Sequence, residues 1–169
     1  MISKQNNRTR QLFGFIVNIV ATIAILCFVF GNSMLSKQES AQVSTGVMRM
    51  IQGILRPIVE LITGGPVDDT LLHKVVRKGA HVTEFAVLSA LLTGLLWRRK
   101  GTWQTDAMGY VLFLSLLCAV SDEFLQSFTD RGSSVRDVVL DLCGSILGIV
   151  FAVALIEFCA WIKQKKRNK

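Results

Sequence analysis

The sequence has little charge and few residues that break regular structure. Asp, Glu, Lys and Arg make up 18% of its 169 residues, against 51% hydrophobic. Mean hydropathy is +0.46. Disorder needs the opposite balance and is excluded, and an ordinary soluble domain fits poorly. Only 2 prolines accompany 13 glycines, which excludes a Pro-rich or collagen-like chain. Cys27, Cys118, Cys143 and Cys159 lie in apolar stretches without CxxC spacing. They read as packing residues, not as a zinc or disulfide framework. No GxSxG elbow and no internal repeat is present. The length fits one domain over 1–169. The expectation is an all-α, polytopic integral membrane protein.

The order of residues supports that class. Leu12–Gly31 is twenty residues without a charge, enough helix to cross a bilayer core. Gly31-Asn32-Ser33 loosely fits a cleavage site, but the apolar run is long for a signal peptide, so a retained helix is expected. Three further spans are expected at about 79–97, 107–127 and 135–162. The third carries Asp122 and Glu123; the fourth carries Asp137, Asp141 and Glu157.

Basic residues set the expected orientation. Lys4, Arg8 and Arg10 precede the first span, Arg98, Arg99 and Lys100 follow the second, and five of the last seven residues are basic. Placing these on the cytoplasmic side puts both termini inside, at the cytoplasmic face of the cell membrane. The net charge of +7 therefore reads as anchoring at acidic headgroups, with the bilayer as partner and no nucleic acid.

The outer connection after the first span is not structureless. Val47, Ile51, Ile54, Leu55, Ile58 and Ile62 recur at helical spacing, with Gln52, Arg56 and Glu60 on other faces. This predicts an amphipathic helix over 43–62 on the outer leaflet. Pro57 is expected to kink or break it, and Thr63-Gly-Gly-Pro66 to end it.

In this topology the ionisable residues meet near the outer leaflet. Arg77, His81 and Glu84 share one face of the second span, with Lys78 adjacent. Asp122 and Gln126 share a face of the third with Ser115 and Ala119, and Glu123 points a quarter turn away. Asp137 and Asp141 share a face of the fourth with Gly144, Ser145, Gly148 and Ala152. The spacing Gly144-x-x-x-Gly148 is a close-packing signal, so that face looks into the bundle. Arg131 and Arg136 flank the cluster, and Gly14, Asn18 and Thr22 form a small, polar face on the first span.

Three uses of this cluster stand open. It can bind a ligand, fix helix packing, or catalyse, with His81, Glu84, Asp122 and Glu123 as acid and base candidates. Arg77, Arg131 and Arg136 would then hold a phosphate. Ser121, Ser133 and Ser134 are near His81 in this topology but form no recognisable triad. His81, Glu84, Asp122 and Asp141 could in principle ligate a divalent ion. However, a di-iron bundle wants a Glu-x-x-His pair on each of two helices, and the only other histidine is His73. No metal and no cofactor is therefore expected.

Four segments in order resemble the VanZ-like family: Phe30–Ser40 (FGNSMLSKQES), Arg77–Phe85 (RKGAHVTEF), Ser121–Phe128 (SDEFLQSF), and Arg131–Asp137 (RGSSVRD) followed by Asp141-x-x-Gly144. Together they span about 30–150. Phe85 stands where Tyr is commoner in the family. The resemblance implies a small bacterial multi-helix membrane protein, linked in some members to glycopeptide resistance, teicoplanin more than vancomycin. The implied function is cell-envelope related, with the polar pocket binding or shielding a lipid-linked or lipophilic ligand. An enzyme acting on a lipid-linked phosphate and a structural assembly protein are the alternatives.

Overall fold

A computed structural model describes residues 2–35, 37–100, 105–129 and 133–168, with the side chains of all but 2–5, 7, 37–49, 97–100, 105 and 106. Five helices follow one another: α1 (Ile2–Met34), α2 (Lys37–Thr63), α3 (Asp69–Lys100), α4 (Thr105–Gln126) and α5 (Val135–Arg167). No strand occurs among the described residues. All but α2 contain a segment long and apolar enough to cross a membrane.

The distribution of side chains is that of a protein in lipid. Phe13, Val20, Phe113, Val150, Phe151 and Phe158 are all more than half exposed. A water-soluble monomer rarely shows apolar surface on this scale. The interior instead holds Thr22, Ser33, Ser89, Thr93, Ser115, Asp122, Glu123, Gln126, Asp141 and Ser145. Polar atoms inside and apolar atoms outside is the arrangement a hydrocarbon solvent selects. The chain is a multi-pass, all-helical membrane protein.

The helices are longer than the apolar runs within them. At 1.5 Å per residue, a helix of about 32 residues is roughly 48 Å long, against an apolar bilayer core of about 30 Å. Consequently α3 begins about three turns before His81, and α5 carries the basic Lys165, Lys166 and Arg167 in its last turn. Cations there complement the helix dipole as well as acidic headgroups.

α3 and α5 form the largest interface. A Cβ on Gly144 would strike the backbone of Val82, and one on Gly148 would strike the Ala86 carbonyl and the Ser89 hydroxyl. The expected close packing is therefore present, backbone against backbone. Ser89 Oγ, fully buried, donates across this seam to the Ser145 carbonyl at 2.8 Å. α1 also packs closely on α3, where a Cβ on Gly94 would meet the Asn18 amide. The apolar part of the core is small: Val29, Phe85, Leu88 and Ala119, with Ile25, Leu26, Leu92, Cys118 and Val138 against them.

α2 runs through Pro57 without ending, so the break, one of the two effects expected of this proline, does not occur. Proline already holds a helical φ, and the carbonyl its ring crowds belongs to Gly53, where both residues are exposed. The helix also begins earlier than expected, at Lys37. It ends at Thr63, as the turn signal implies. Gly64 has φ 73°, a left-handed cap that suits glycine, and its N–H donates to the Glu60 carbonyl at 2.9 Å. Ile54, Ile58, Leu61 and Ile62 stay exposed. The apolar face of α2 therefore turns away from the protein. An exposed Arg56–Asp69 ion pair links α2 to the start of α3. There Thr70 donates a hydrogen bond that, more than any other contact, holds the Asp68 carboxyl below its usual range.

All four cysteines are free.

Candidate functional site

The polar core sits where the C-terminal ends of α1 and α4 meet the N-terminal halves of α3 and α5. Alternating helix directions bring these four ends together. Ser33, His81, Asp122, Gln126 and Asp141 come from four separate stretches of the chain.

Asp122 is the anchor. It is fully buried. Ser33 donates its hydroxyl to Oδ1, and Gln126 Nε2 donates to Oδ2 at 2.7 Å. The same Gln126 nitrogen is 3.4 Å from Ser33 Oγ. Gln126 reaches Asp122 because four residues of helix return a side chain to the same face. Ser115 and Ala119 continue that face and are fully buried, as their spacing requires.

His81 stands between two carboxylates. Its Nδ1 is 3.9 Å from Asp122 Oδ2 and 3.9 Å from Asp141 Oδ1. Asp141 is 1% exposed, and among the described residues neither of its carboxylate oxygens has a hydrogen-bond partner. One donor atom from each of His81, Asp122 and Asp141 lies within 4.8 Å of the others.

Glu123 is also buried but faces elsewhere, the quarter turn its position implies. Its Oε2 accepts the Ser134 N–H at 2.7 Å. Ser134 in turn caps α5, accepting the Arg136 N–H at 3.2 Å. Glu123 thus ties the end of α4 to the start of α5. Asp137, partly buried, pairs with Lys78 at 2.8 Å at the rim of the polar core.

The remaining candidates separate by burial. Glu84 is partly buried one turn from His81, whereas Arg77 and Arg136 are exposed. Arg131 lies outside the described residues. Ser121 directs its hydroxyl to the Leu117 carbonyl at 2.8 Å, and Ser133 is exposed. Phe85 is fully buried in the apolar core beside the polar one, where a tyrosine hydroxyl would need a partner.

Two contributors escaped the candidate set. Ser33 holds Asp122, and its signal was the serine-rich exit of the first span. Ser89 hydrogen-bonds across the α3–α5 seam, and it carries no sequence signal beyond a small polar residue inside an apolar run.

Neither a curated protein nor a solved structure matches the chain significantly. A family model described as VanZ/LLP1 matches residues 15–157, which takes in the whole polar core and the glycine seam. With a match over most of its length, the chain belongs to the VanZ/LLP1 family.

Proposed function

We propose that this protein protects the cell envelope against glycopeptide antibiotics, teicoplanin above vancomycin, by binding or shielding a lipid-linked or lipophilic ligand at the outer leaflet. The observation that carries this reading is the pair of buried carboxylates converging on His81 inside a membrane bundle. A buried carboxylate in a spanning helix costs about 3 kcal/mol even on insertion scales, and such residues commonly mark a working site. Family membership supplies the antibiotic connection. The basic residues after α3 and at both chain ends support an outward-facing polar core by the positive-inside rule. The exposed apolar face of α2 fits a helix lying on the same leaflet.

A structural role is favoured by a different observation. The Ser33–Asp122–Gln126 hydrogen bonds satisfy Asp122 and clamp α1 to α4. One experiment separates the two. A sensitive host expresses wild type, Glu84→Gln or Asp122→Asn, with membrane abundance quantified beside teicoplanin and vancomycin susceptibility. Selective protection by wild type, lost in equally abundant variants, supports a working site. Variants that vanish from the membrane support the structural role. No protection from abundant wild type overturns the antibiotic reading.

A further inference from the structure

Asp141 raises a question that helix packing does not answer. Asp122 has a donor on each oxygen, and Glu123 accepts a backbone N–H. Asp141 is as deeply buried as either, yet its carboxylate accepts no hydrogen bond among the described residues. An uncompensated carboxylate is costly in any protein interior, and the cost is relieved by a proton or by a bound cation.

We propose that His81, Asp122 and Asp141 form a binding site for one divalent first-row transition-metal ion inside the bundle. The spacing admits a shared ion. Both His81–carboxylate separations are 3.9 Å, too long for a direct hydrogen bond, and the three donor atoms lie within 4.8 Å of one another. Ligand atoms about 2.05 Å from a tetrahedral ion sit roughly 3.3 Å apart, so a modest closing of the three side chains brings them into range. The charge balance agrees. With both carboxylates ionised and the imidazole neutral, the three donors carry two negative charges, which one divalent cation cancels.

The surroundings are those a metal site uses. Ser33 and Gln126 orient the Asp122 carboxylate from behind, as outer-shell donors orient ligating carboxylates. An imidazole with two carboxylates suits zinc, manganese or iron better than magnesium or calcium, which prefer oxygen alone. Three protein donors leave coordination positions open to water or to an oxygen of a bound molecule. The absence of a second Glu-x-x-His pair speaks only against a two-metal centre. The site is mononuclear and draws its donors from α3, α4 and α5. It stands apart from the antibiotic reading and holds whether or not that reading does.

The test uses the full chain, purified in detergent, stripped with chelator and desalted. Zn²⁺, Mn²⁺ and Mg²⁺ are titrated singly, with retained metal measured by mass spectrometry and stability by thermal unfolding. About one Zn²⁺ or Mn²⁺ per chain is expected to remain, with a raised Tm, and Mg²⁺ to bind at least about tenfold more weakly. Asp141→Asn and His81→Ala lose retention, Ser33→Ala weakens it about 10- to 100-fold, and Glu157→Gln leaves it unchanged. Stripped wild type that retains no transition ion and shows no Tm change overturns the proposal. So does full retention in both Asp141→Asn and His81→Ala. Should those variants fail to fold, Co²⁺ added to wild type decides: visible absorption from nitrogen and oxygen ligation supports the site, and a spectrum of free hydrated cobalt overturns it.

Discussion

The α3–α5 interface has two halves held by opposite means. Towards the C-terminus of α3, Gly144 and Gly148 let the backbones touch, with only the small Ser89 side chain between them. Towards its N-terminus, the same helices meet through Lys78–Asp137 and His81–Asp141. In lipid, apolar surface gains little by leaving its surroundings, so shape must supply attraction in the first half. In the second, the Lys78–Asp137 pair supplies it, and the buried Asp141 carboxylate carries a desolvation cost. The glycine half explains how the helices stay together. The charged half is where helix packing alone leaves something over.

Substitutions sharpen this contrast. The largest effect is expected from Gly148→Val, whose side chain must displace the Ala86 carbonyl and Ser89. A loss of about 3 kcal/mol in reversible unfolding from detergent is expected, with reduced membrane abundance. Gly31→Ala, with open space around its Cβ, should change neither. An unaffected Gly148→Val would mean the seam does not hold the bundle.

The two buried aspartates should then part company. Asp122→Ala strips partners from Ser33 and Gln126 and should cost about 2 kcal/mol. Asp141→Asn, measured in chelator, removes a charge without removing a hydrogen bond. Its unfolding midpoint should stay level or rise by about 1 kcal/mol equivalent. Equal losses for both would show that Asp141 is already compensated within the fold.

The smallest effect belongs to the rim. The Lys78–Asp137 pair is 45% and 20% exposed. Lys78→Ala should cost about 0.5 kcal/mol, diminishing as salt is raised. A salt-independent loss of several-fold greater size would place this pair in the low-dielectric interior.

Much of the site was legible beforehand because helices repeat. Asp122, Gln126, Ser115 and Ala119 fall on one face by counting, as do Asp141, Gly144, Ser145 and Gly148. The serine that holds Asp122 was not legible as a ligand of that carboxylate. Ser33 and Asp122 are 89 residues apart, and no periodicity links them. Nor could spacing distribute the charges. Lys78 and Asp137 pair at the rim, Glu123 ties α4 to the α5 cap, and Asp141 stays inside. The passage of α2 through Pro57 was likewise hidden, because exposure of Gly53 and Pro57 depends on where the helix lies.

The sequence by itself determined the solvent, the number of spans and the faces of the helices. Runs of apolar residues and the 3.6-residue repeat are local properties that no partner can change. The tertiary structure alone decided which buried charge met which donor. That outcome depends on the relative depth and rotation of four helices, set by backbone contact at Gly144 and Gly148 and by hydrogen bonds between residues far apart in the chain.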